Sequence, residues 1–309
     1  MKLPSQAASA AHDADTVLID PGEYFDCAVW PQNTLTIAGA APGVVITDKP
    51  CEGKALFVLR GTGTTVRDLT LARARVPDGN GAGIRAEGAN LTVTRVAFIN
   101  NQAGLLANGV AGSVVTVSDS VFTQNGGCGP ARCVASLQVG AVAQLRLTDT
   151  RFSDAKGGDL VVSQAARTEL SGDVLADGEA GASRFLLDIP SGAEVVSVQG
   201  SRFEKGPHSE RPDVAVMLGE GSGFAPGATL RFAGNTLENH TGQSVRFILN
   251  WSAENPVLAG NVVGANDTEL SSGGLWWHRA RAAASGAKDT ARAALSGVKQ
   301  SVKRLLGRG

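Results

Sequence analysis

Aromatic side chains are scarce in this 309-residue chain: ten Phe, four Trp and the single Tyr24. Val, Leu and Thr are numerous. With 39 Gly, about one residue in eight, the composition predicts many turns between short strands. No run of about 18 apolar residues occurs, so no transmembrane helix is expected. The opening MKLPSQAASAAHDADTV has no apolar core of the length a signal peptide needs. Histidine is limited to His12, His208, His240 and His278, which supplies little for imidazole acid–base chemistry. There are four cysteines, and none has a His near it in zinc-ligand spacing, which argues against a zinc site.

What is present is a repeat. RVAFINN at 95–101 returns as DSVFTQN, DTRFSDA, GSRFEKG, GNTLENH and GNVVGAN. Aligned on Leu71, Phe98, Phe122, Phe152, Leu175, Phe203, Leu237 and Val263, the units recur at intervals of 27, 24, 30, 23, 28, 34 and 26. Inside each unit LTVTRVAF, VVTVSDSVF or QLRLTDTRF alternates apolar with polar, which is strand periodicity. No unit holds 10–12 residues of helical spacing, which excludes leucine-rich, ankyrin and tetratricopeptide solenoids. Most intervals are too short for propeller blades of ~40–45 residues. The remaining architecture is a single-stranded right-handed parallel β-helix of about nine coils, all-β. Its aligned apolar residues stack in the interior, and Asn101, Asn125, His240 and Asn266 are expected to form a turn ladder.

Three segments follow. Residues 1–13 are expected to be disordered, 14–270 form the β-helix, and 271–309 form a basic amphipathic helix. Net charge is divided between the last two. Of 28 basic and 29 acidic groups, eight and one fall between Leu275 and Gly309, so the tail carries +7 and the rest −8. Trp276, Trp277, Lys299, Lys303 and Arg304 are the residues expected to meet an anionic membrane surface. Packing of the tail on the end of the solenoid is the competing reading. Nucleic acid is disfavoured as a partner, because no base-reading or stacking residues accompany the charges.

ADTVLIDPGEYFDCAVWPQNTLTIAG at 14–39 and VRDLTLARARVPDGNGAGIR at 66–85 resemble the first coils of pectate-lyase-like right-handed β-helix proteins. The resemblance covers roughly residues 14–267. It implies the fold, and a carbohydrate as the class of ligand, without implying a reaction. If the chain is an enzyme, the resemblance points to a polysaccharide lyase or an epimerase-like activity. However, the Asp-Asp and Gly-His-Gly motifs of hydrolases of this fold are absent. So are the Asp-His of its lyases and the Asp-Pro-His-Asp of its epimerases.

Two polar constellations remain as candidates. In RARVPDGNGAGIR, Arg73, Arg75, Asp78, Asn80 and Arg85 could hold an acidic sugar through bidentate guanidinium contacts. In SDAKGGDLVVSQAAR, Asp154, Lys156, Asp159 and Arg167 could hold Ca²⁺ or remove a proton. Ordinary turn chemistry and surface ion pairing explain the same residues without a ligand. Cys128 and Cys133 bracket a Gly/Pro loop, and Cys27 and Cys51 lie 24 residues apart. Two disulfides are one reading, four free thiols the other. Pairing would place the chain outside the cytoplasm, in a periplasm or cell envelope. The missing signal-peptide core leaves the cytoplasm open. The function expected is binding, or remodelling, of an acidic polysaccharide by a cell-envelope protein. The alternative is a non-catalytic scaffold attached through its basic tail.

Overall fold

The computed structural model describes residues 2–129 and 133–272. Within them the alternating segments become short strands, and every ladder is parallel except a small hairpin, Gly127–Cys128 against Cys133–Val134. The strands form three stacks. The first runs from Thr16–Ile19 and Thr34–Gly39 to Val257–Ala259. The second runs from Gly22–Tyr24 and Val44–Thr47 to Thr236–Asn239. The third is a ten-stranded sheet from Ala28–Trp30 to Thr268–Ser272. The chain visits the three in turn and then climbs one level, which is a parallel β-helix. The third stack has ten levels, against the nine or so coils expected from the sequence.

Register explains the repeated phrase. Leu71, Phe98, Phe122, Phe152, Leu175, Phe203 and Leu237 pair in succession along the second stack. All are buried. The rings of Phe98, Phe122 and Phe152 lie face to face, with centroids 4.3 and 4.6 Å apart. The third stack crosses this column on glycine, because a Cβ at Gly104 would stand 2.5 Å from the Phe122 ring. On the first stack, Ile37, Val66, Val93, Val117, Leu147, Leu170, Val198 and Phe232 fill the same interior from the facing side.

Short polar residues hold the turns. Between the first and second stacks the corner is a single left-handed residue: Asp68, Arg95, Asp119 and Asp149, then Gly172, Gly200, Gly234 and Gly260. At the glycine corners the next residue reaches back to the coil below. Asp173 accepts from the Thr150 amide at 2.8 Å, Ser201 from Asp173 at 3.2 Å, Asn235 from Ser201 at 3.0 Å and Asn261 from Asn235 at 2.9 Å. The asparagine ladder after the second stack has two rungs. The Asn101 carboxamide donates to Asn125 Oδ1 at 2.9 Å, and Asn125 donates to the Phe98 carbonyl at 2.7 Å. Both side chains are fully buried. His240 and Asn266 take no place in this ladder; Asn239 and Asp267 bond each other there instead, at 2.7 Å.

Residues 1–13 were expected to be disordered, and over residues 2–13 the structure differs. A helix, Pro4–Ala10, lies over the first coil. Gln32 binds its last turn, donating 2.9 Å bonds to the carbonyls of Ala8 and Ala11. Ala8 joins the core that contains Trp30. A stacked sheet needs its open edge covered, and this short helix covers the end at Trp30. The basic tail, with Trp276, Trp277, Lys299, Lys303 and Arg304, lies outside the described residues.

Candidate functional site

The third stack presents one outward residue per coil: Val58, Arg85, Leu106, Gln138, Val162, Asp188, Met217 and Leu249, in register. Two apolar clusters bury four members of this row. Val58 and Leu106 are buried with Ala55, Ala82, Ala103 and Val134, and Met217 and Leu249 with Phe185 and Val214. The polar middle stays open. It forms two adjoining clefts that share Cys133 and Gln138 as a common wall.

The first cleft, about 220 Å³, is lined by Asn80, Arg85, Asn108, Gln138 and the Leu106–Ala107 strand. Arg85 has no ion-pair partner among the described residues, and its Nε is buried without a hydrogen-bond acceptor. Three carboxamides and a guanidinium therefore converge on one space.

The second, about 630 Å³, is lined by Gln138, Asp159, Val162, Arg184, Asp188, Glu210 and Arg211. Asp159 is buried. It accepts from Arg184 Nε at 3.1 Å, Arg184 Nη2 at 2.8 Å and the Phe185 amide at 3.0 Å. The same Nη2 reaches Asp188 Oδ2 at 3.3 Å. Asp188 is 4% exposed, and its Oδ1 is buried with no hydrogen-bond partner. Burial, and next the charge of Asp159, push its carboxyl up to about 7. Arg184 is raised, chiefly by its bonds to Asp159, and lies over the Phe185 ring at 4.7 Å, with Arg211 at 5.5 Å. The backbone under Arg184 is fixed from behind. Lys205, fully buried, bonds the Ser183 and Arg184 carbonyls at 3.3 Å and pairs with buried Asp177 at 3.3 Å. Burial lowers the Lys205 ammonium, and Asp177 opposes the shift.

The residues singled out in the sequence divide among several surfaces. Asn80 and Arg85 share the first cleft, and Asp159 lies in the second. Arg73 and Asp154 are left-handed corner residues after the second stack. Arg73 pairs with Asp48, its counterpart one coil below, and with Glu23, both at 2.7 Å. Asp154 lies against Gly178, one coil above. Arg75 and Lys156 meet over Asn100, which accepts from both; Arg75 reaches its Oδ1 at 2.5 Å. Burial lowers both cations, and Arg75 lowers Lys156 further. Asp78 is exposed on its loop, and Arg167 lies on the first stack beside Glu169, at 3.4 Å. Asp177 is committed to Lys205 and to the Ser209 hydroxyl, at 2.5 Å. Among the described residues, the one trio within reach of a single ion is Cys128, Cys133 and Glu210. Its two sulfurs are bonded to each other, because Cys128–Cys133 and Cys27–Cys51 are disulfides.

Gln138, Arg184, Asp188 and Arg211 escaped the sequence reading. One signal was available: Asp188 interrupts the apolar run FLLDIP, where an acid has no reason to stand in a buried strand.

The stacks and corners define the class: the chain has a pectate-lyase-like parallel β-helix fold. No protein-family model matches it, and no curated protein matches it by sequence. Among solved structures it is similar to ORF18 of Geobacillus virus E2. That likeness has 11% identity and a TM-score of 0.52, over 86% of this chain and 55% of the viral one. The chain thus spans about half the length of that protein. A pectin methylesterase solved with a hexasaccharide is also similar, at 14% identity and a TM-score of 0.44. The match covers 88% of this chain and 89% of the esterase. At these identities the likeness is one of fold.

Proposed function

We propose that the protein binds an extended acidic polysaccharide along the polar row of the third stack, with Arg85 meeting a sugar carboxylate. The observation that carries this reading is Arg85 itself, a guanidinium without a carboxylate partner among the described residues, set among Asn80, Asn108 and Gln138. Guanidinium and carboxylate match as a bidentate pair, and carboxamides serve hydroxyls as donors and acceptors. Successive coils repeat every ~4.8 Å, about the length of one pyranose unit in an extended chain. The two disulfides favour an extracytoplasmic setting, where such polymers occur. Attachment to an anionic membrane through the basic tail belongs to the same reading.

Calorimetric titration with 1,4-linked uronic acid oligomers of increasing length tests it. Affinity should rise with length to roughly five units, the span from Arg85 to Asp188, and then level off. Arg85→Gln should weaken binding about 10- to 100-fold, as expected for a hydrogen bond to a charged group. Absence of binding to any uronate, or indifference to Arg85→Gln, would contradict the reading.

A further inference from the structure

The second cleft has one more acid than its cations can serve. Arg184 spends both Nε and Nη2 on Asp159 and gives Asp188 a single 3.3 Å contact. Arg211 is engaged with Asp213 at 3.2 Å. Glu210 lines the same cleft, and Glu220 adds negative charge to the Asp188 environment. An ionised Asp188 would be a buried charge with one oxygen unsolvated, beside Asp159 and Glu220. A neutral acid relieves the repulsion and turns the carboxyl from an acceptor into a donor.

We propose that Asp188 serves the groove as a neutral carboxylic acid, donating a hydrogen bond to an acceptor oxygen of the bound uronate, so that ligand is released as this proton is lost. This rests on the groove binding an acidic glycan. The proton decides compatibility. A uronate entering beside ionised Asp188 meets a third carboxylate in a cleft with one shared guanidinium, whereas the acid form offers it a donor. Asp188 thereby sets both which chemistry the second cleft accepts and the pH range in which it does so. The position of its carboxyl near 7 agrees with that geometry.

The probe is a 1,4-linked uronate hexamer titrated calorimetrically into the full chain between pH 5.5 and 8.5. Wild type and Asp188→Asn are compared, with circular dichroism confirming that the variant is folded. Asparagine keeps the shape and cannot ionise. Wild-type affinity should fall about tenfold or more across the range, and Asp188→Asn should hold its low-pH affinity throughout. A flat wild-type profile overturns the inference and leaves the groove reading standing. So does a folded Asp188→Asn protein that retains the pH loss or has lost binding at pH 5.5. No wild-type binding at any pH overturns both.

Discussion

Asn125 bonds two coils at once. Its Oδ1 accepts from the Asn101 amide and carboxamide, and its Nδ2 donates to Phe98 and Thr123 carbonyls. Asn125→Ala leaves the buried Asn101 amide without its acceptor. It should cost about 2–4 kcal/mol in chemical denaturation, with the slope against denaturant unchanged. Acidity acts through two other residues. Burial raises Asp173 and Asp188 to about 7 each, from an ordinary value near 4. Between those values the folded chain holds protons that the unfolded chain has released. Stability should therefore be greatest below about pH 4 for these two groups and fall by roughly a few kcal/mol as pH rises through 7. Denaturation at pH 5 and pH 8 reads this directly, and Asp188→Asn should remove its share of the slope. At this scale the sequence was a partial guide. Arg73 and Arg85 look alike as neighbours in one Gly-rich stretch, yet Arg73 is a corner residue tied to Asp48 while Arg85 faces a cleft. The difference lies in strand phase. An offset of one residue sends a side chain to the opposite face, and the loop between them hides the count.

At the scale of elements, the phenylalanine column was legible because its spacing survives every insertion. Phe122 stacks on a ring above and below, so Phe122→Ala should cost about 3–5 kcal/mol. The Cys27–Cys51 bond closes a 24-residue separation and joins the first two coils. Replacing both with Ser should remove about 3 kcal/mol, more than the same change at the five-residue Cys128–Cys133 loop. Differential scanning calorimetry separates the two. The Pro4–Ala10 helix could not be read in advance. Seven residues are too few to hold a helix alone, and its stability comes from docking at Ala8 and Gln32. The ladder of Asp173, Ser201, Asn235 and Asn261 was in plain sight as the lead of each phrase. Its residue types vary, because any short side chain with an oxygen can accept the amide below.

Across the whole molecule, an acidic body and a basic tail of +7 predict two separable attachments. Vesicles containing anionic lipid should pellet the full chain and leave a chain ending at Ser272 in the supernatant, with the difference shrinking at high salt. Equal pelleting would remove the tail from the proposal. Glycan binding should be the same in both chains, since the groove lies within the coils. Its polar row was hidden from the sequence because it is assembled across coils, from residues about 25 positions apart that share a face through register alone. The most direct measurement is amide hydrogen exchange on the full chain, with and without a uronate hexamer at pH 5.5. Protection should appear at Ala82–Ala86, Leu137–Val139, Val161–Ser163 and Leu187–Ser191, with the first stack unchanged. Protection confined to the first or second stack, or none in the presence of measurable binding, would contradict a binding groove on the third.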